Sequence, residues 1–154
     1  ELFQWLLDHG ADINHQQQGG AGCVLDTAAL NHSTGTVSFL LAKGADIRQS
    51  VGLHCAIMRT DDQGANMLNY LLDHGADINA LEYQHVPDYF NTKREHGLGS
   101  PLQMAVRKGK SNLVRLLLES GANPLVMNTR GQIPARYLKE GDVETREFLQ
   151  KYTS

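Results

Sequence analysis

The sequence predicts an all-α fold, a solenoid of stacked helix-turn-helix units with short β-turn fingers. Three observations lead there. The nonapeptide LLDHGADIN stands at Leu6–Asn14 and again, letter for letter, at Leu71–Asn79. Looser copies, LLAKGADIR and LLESGANPL, begin at Leu40 and Leu117. The glycines of the four copies, Gly10, Gly44, Gly75 and Gly121, are spaced by 34, 31 and 46 residues. A period near 33 residues with one long exception marks an array whose units stack to share a core.

Each element has a local cause. Residues 1–14 read as the second helix and turn of a unit whose first helix is missing. Leu2, Trp5 and Leu6 need cover there, so further repeats are expected upstream, and a chain without an initiator Met reads as part of a longer one. Residues 15–49 form the next unit, with VLDTAALNH followed by VSFLLAKGAD, and residues 50–79 another, with LHCAI followed by MLNYLLDHGAD. The clearest unit closes the segment 80–123. Ser100 is a good N-cap and Pro101 fits the first helical position. Leu102, Ala105 and Val106 make a narrow apolar stripe, and Gly109 ends the helix. Leu113, Val114, Leu116, Leu117 and Leu118 then form the apolar face of a second helix, with Arg115 and Glu119 facing out. The glycine that follows enters the left-handed region without a Cβ penalty. The Ala-Asp-Ile-Asn beyond it suits a tight turn in which Asp and Asn bond nearby backbone. Residues 124–154 read as a degenerate capping unit. Lys139, Glu140, Asp142, Glu144, Arg146, Glu147 and Lys151 supply the polar outer face that a terminal repeat requires, so the array is expected to end near here.

These residues resemble the ankyrin repeat family. SPLQMAVRKG at Ser100–Gly109 is similar to that family's Thr-Pro-Leu-His-x-Ala-Ala-x-x-Gly signature, and the Gly-Ala-Asp phrase to its repeat ending. The likeness covers nearly the whole chain, with departures. From Gly44 to Leu53 is nine residues, against a family spacing of about 14, so a stunted finger is expected there. Roughly three extra residues fall around Thr60–Gly64. Gly75 to Leu102 is 27 residues, about 13 too many. The surplus lies in Ala80–Leu98, which holds Tyr83, Tyr89 and Phe90. Such irregular arrays are similar to those of fungal ankyrin proteins. Asn14 and Asn79 resemble the preferred site of an asparaginyl hydroxylase acting on ankyrin fingers, but the simpler reading, that Asn stabilises the turn, is favoured.

Composition excludes several function classes. A net charge of −3 argues against a dominant nucleic-acid or membrane role. No apolar run nears the roughly 18 residues of a membrane span. Two cysteines, Cys23 and Cys55, make no disulfide framework and suit a reducing compartment, cytoplasmic or nuclear, as small buried apolar groups. No phosphate-binding loop, HExxH, GxSxG or CxxC occurs, so neither enzyme activity, cofactor nor metal is expected. His9 and His74 are expected to be solvated and structural. His54, in the signature position, is expected to bond the turn before its own helix. His85 and His96 share the insertion without enough further ligands for a metal. Asp61 and Asp62 are expected to be solvated in a loop.

The remaining reading is a non-catalytic module, monomeric, that binds another protein or peptide; a regulatory or targeting segment of a larger multidomain protein is the alternative. The resemblance implies that the partner meets the finger tips and the exposed ends of the inner helices. Those positions are Gln16, Gln17, Gln18, Leu30, Asn31, Arg48, Met58, Arg59, Arg107, Lys108, Asn128 and Arg130. Tyr83, Tyr89, Phe90, Lys93 and Arg94 join them from the insertion, as aromatic anchors and cations for an acidic contact.

Overall fold

Helices pair, turn over a glycine and pair again along the chain. The computed structural model describes residues 2–17 and 22–154. Its helices are α1 (Leu2–Asp8), α2 (Val24–Asn31), α3 (Thr34–Ala42), α4 (Gly52–Met58), α5 (Gly64–Asp73), α6 (Pro87–Lys93), α7 (Pro101–Lys108), α8 (Ser111–Glu119) and α9 (Val143–Thr153). Short 3₁₀ turns lie at Ile47–Gln49, Arg94–His96 and Pro134–Tyr137. The described residues contain no β-strand.

Two layers result. The inner layer stacks α2 on α4, α4 on α7, and α7 on the Pro134–Tyr137 turn. The outer layer includes the packing of α3 on α5 and of α8 on α9. Small inner-helix residues permit this closeness: Ala28, Ala29, Ala56 and Ala105 are buried in one continuous core with Leu25, Leu53 and Leu102. In α8 the expected face holds, with Leu113, Val114, Leu117 and Leu118 buried and Arg115 and Glu119 exposed.

The four copies of the repeated phrase end identically because each is a complete helix stop. The amides of Gly10, Gly44, Gly75 and Gly121 donate to the carbonyls three residues back, those of Leu7, Leu41, Leu72 and Leu118. The alanine after each glycine donates five back, to Leu6, Leu40, Leu71 and Leu117. This double closure is the Schellman motif, and its glycines have φ between 88° and 97°. The acid or amide that follows closes the finger. Asp12, Asp46, Asp77 and Asn123 each accept the backbone N–H two residues on.

The departures also have a visible form. The short finger after Gly44 is a single 3₁₀ turn capped by Asp46. The insertion is more ordered than a plain loop, since it carries α6. Pro87 at the first position, Asp88 in the first turn and Lys93 in the last satisfy the ends of that helix. At the two ends the layers thin. Leu2, Trp5 and Leu6 on α1 are exposed. The last unit has only a 3₁₀ turn in place of an inner helix, and α9 buries just Thr145 and Leu149.

Candidate functional site

The scaffold beneath the candidate surface is tied from unit to unit at the signature position. Asp26, His54 and Gln103 occupy corresponding places on α2, α4 and α7, and each reaches the backbone just before the next inner helix. Asp26 accepts the Val51 N–H at 2.7 Å and the Ser50 hydroxyl at 2.6 Å. The His54 Nε2–H donates to the Gly99 carbonyl at 2.9 Å. The Gln103 side-chain amide donates to the Gln132 carbonyl. Asp26 and Gln103 also close the capping box of their own helix, through the amides of Cys23 and Ser100. The expectation for His54 is therefore corrected: it bonds the turn of the following unit, not the one before its own helix. Its burial pushes the imidazole pKa below the ordinary 6.5, which keeps the ring neutral as a donor. The pattern of one side chain serving two units was missed in the sequence; the shared alignment of Asp26, His54 and Gln103 was the available signal.

The fingers are tied in the same manner. The Asn14 side chain accepts the Asp46 N–H at 2.7 Å and donates to the Gly44 carbonyl at 3.1 Å. The Asn79 side chain accepts the Asn123 N–H at 2.9 Å. Gln16 is likewise a tie, donating to the Gln49 carbonyl at 2.8 Å, so it is only partly exposed.

Other expected contact residues divide between surface and interior. Gln17, Asn31, Arg48, Met58, Arg94, Arg107, Lys108 and Arg130 are exposed; Leu30 is half-buried. Gln18 lies outside the described residues. Arg59 and Asn128 are corrected, because both are buried and committed to internal bonds. Arg59 donates through Nη1 to the Ala29 and His32 carbonyls, both at 2.9 Å, and pairs with Asp61. Asp61 is thus an anchor for Arg59 rather than merely a solvated loop acid, and the hydrogen bond from Arg59 lowers its pKa. Asn128 donates to the Tyr137 hydroxyl at 2.7 Å and accepts the amides of Arg130 and Gln132. Arg48, though exposed, is held by Asp46 at 3.0 Å, and its hydrogen bonds pull the Asp46 pKa down to about 2.

The insertion folds back on the array. The Glu82 N–H donates to the Gly99 carbonyl at 3.0 Å, and the Glu82 carboxylate accepts the Gly99 N–H at 3.2 Å. At its far end Leu98 and Thr129 exchange two bonds, from the Thr129 N–H at 3.1 Å and to the Thr129 hydroxyl at 2.9 Å. The rings of Tyr83 and Tyr89 meet edge to face, 4.8 Å between centroids, and the Lys93 ammonium lies 6.0 Å from the Tyr89 ring. All three, and Phe90, are half-buried. A cavity of about 360 Å³ remains between the short finger and the insertion, bounded by Arg48, Val51, His54, Leu71, Leu81 and His85. Burial lowers the His85 pKa.

Among the described residues, no group of three His, Cys, Asp or Glu side chains is arranged to hold a metal. Nor, among them, is any helix long and apolar enough to cross a membrane. Burial pushes the Cys23 thiol up to about 11 and the Cys55 thiol up to about 12, which opposes a nucleophilic role.

Comparison with known proteins agrees with this geometry. Residues 1–82 match a family model described as ankyrin repeats (3 copies), and residues 99–129 match one described as an ankyrin repeat. The chain is 31% identical over 138 residues to the mitochondrial disaggregase of Bos taurus, covering 90% of this chain and 19% of that protein. The human mitochondrial disaggregase is 29% identical over 90% of this chain and 22% of its own length. Ankyrin repeat and SOCS box protein 6 of Pongo abelii is 30% identical over 77% of this chain and 27% of its own length. The chain thus spans about a fifth to a quarter of these relatives.

Proposed function

Because the chain belongs to the ankyrin repeat family, we propose that it is a non-catalytic interaction module that binds a protein or peptide through its concave face and finger loops. The units concerned are 15–49, 50–79 and 80–123, with 124–154 as the cap. The observation that carries this reading is that Asn14 and Asn79 tie neighbouring fingers to one another while Asn31, Met58 and Arg107 stand exposed on the inner helices. A surface standing on fixed backbone pays little ordering cost when it docks. Met58, 47% exposed at the end of an inner helix, is an apolar contact with no use in the core. The module acts as a monomer within the cell, in keeping with its two unpaired thiols.

A second reading has support in the coverage of the relatives. They are larger proteins of which this chain matches 19–27%, which supports reading the array as the regulatory or targeting part of a longer polypeptide. The two readings differ in what the array is attached to, not in how it binds. Affinity capture with the intact array, repeated with Asn31, Met58, Arg107 and Lys108 all changed to alanine, tests the shared core. Partners retained by the first and lost by the second are expected. Identical captures would remove the concave face from consideration.

A further inference from the structure

The geometry points to a recognition site for a carboxylate-rich peptide segment in a cationic arc around Gly97, built jointly by the insertion and the last finger. This deepens the interaction reading above and rests on it. Arg94 follows the insertion helix, Arg107 lies in the last turn of α7 and Arg130 tips the last finger. Three contacts gather them. The Thr129 hydroxyl donates to the Arg94 carbonyl. The Arg130 side chain lies over Gly97, where a Cβ would stand 3.1 Å from its Cδ. Arg107 shares a shallow depression with Gly97, Gly99 and Tyr137.

Several other cations of the array are already engaged. Arg48 is held by Asp46, Arg59 by Asp61, and Lys110 is spent on the Arg59 carbonyl. Arg94, Arg107 and Arg130 are exposed, and their side chains make no hydrogen bond or ion pair among the described residues. The carboxylate lining the same depression, Glu82, is turned onto the Gly99 N–H. A chain of net charge −3 therefore keeps three arginines, none with a side-chain hydrogen bond or ion pair among the described residues, around Gly97. Their planar forks match carboxylates two bonds at a time. Nucleic acid would ask for more phosphate contacts than this arc and the adjacent Lys108 supply. Without the insertion, Arg94 would be absent from the arc, which gives the extra residues a role that stability does not.

The test measures fluorescence anisotropy of labelled decaglutamate and decaglutamine with the intact chain. Decaglutamate is expected to bind and decaglutamine not, with affinity falling as salt rises. The triple reversal R94E, R107E and R130E is expected to weaken binding at least tenfold, whereas R115E with R146E, on other surfaces, leaves it unchanged. Unaltered melting curves separate lost contact from lost fold. Equal binding of both peptides, or binding that survives the triple reversal, would overturn the inference. So would displacement of decaglutamate by an equal concentration of an equally charged oligothymidine. Capture of a neutral partner through Asn31 and Met58, with decaglutamate ignored, sinks this inference alone; capture of nothing at all sinks the interaction reading with it.

Discussion

The side-chain oxygen of Asn14 accepts the backbone N–H of Asp46 at 2.7 Å, and this bond links two fingers 32 residues apart. Asn79 repeats it across the insertion, with the Asn123 N–H at 2.9 Å. The nonapeptide occurs twice because it encodes a whole device: apolar residues for the core, Gly for the helix stop, Asp for the turn and Asn for the neighbour. Asn14→Ala or Asn79→Ala is expected to cost about 1 kcal/mol, the net value of one such bond. Asn14 should cost more than Asn79, since it also donates to Gly44. Denaturant midpoints of the two variants check the order.

Leu71 and Leu117 fill corresponding places in two copies of the phrase, and both are fully buried. Either one changed to alanine should destabilise the array by about 2–5 kcal/mol, the range for leucines whose cavity cannot collapse. Chemical denaturation measures this directly; an unchanged midpoint would contradict the packing.

Arg59→Ala should be costly although arginine is ordinarily a surface residue. The change strands the Ala29 and His32 carbonyls and releases Asp61. A buried acceptor left without a partner costs roughly 1–3 kcal/mol. A binding defect in this variant would therefore report scaffold damage, and thermal melting beside the binding assay distinguishes the two.

Helix stops, turns and apolar faces were legible in the sequence because their causes lie within a few residues. Gly10 and Asp12 act on their own finger, and Leu117 repeats at helical spacing. The unit-to-unit bonds were not legible, since the partners of Asp26, His54 and Arg59 lie 24 to 45 residues away. Exposure of Arg59 was inferred from its place at the end of an inner helix, and nothing local announces that its side chain turns back to the Ala29 and His32 carbonyls. The insertion stood between these cases. Pro87, Asp88 and Lys93 carry a helix signature that could have been read, but its docking through Leu98 and Thr129 depends on a finger 31 residues on.

Acid should weaken the fold through His54. Burial places its folded pKa below the ordinary 6.5. Below about pH 6.5 the unfolded chain binds this proton and the folded chain does not, so stability falls as pH drops toward the folded value. Above that pH the ring is neutral in both states and contributes no slope. His54→Gln keeps a donor without a titrating group. Its stability should therefore fall less steeply over the same acid range, as read from urea midpoints at successive pH values.

Replacing Ala80–Leu98 by a finger of family length should leave a folded array with altered binding. Closing a shorter loop changes the entropy little, about 0.6 kcal/mol per doubling of length. The inner stack of α4 on α7 lies outside the replaced segment, as do Ser100, Gln103 and their capping box. What is lost is Glu82 at one end, the Leu98 pairing with Thr129 at the other, and the Tyr83, Tyr89, Phe90, Lys93 and Arg94 surface between. His54 retains its Gly99 acceptor, so the tie between units survives. The expected outcome is a helical circular dichroism spectrum, a modestly lowered melting temperature and a loss of partner affinity out of proportion to it. A shortened array that captures the same partners with the same affinity would reduce the insertion to a tolerated decoration.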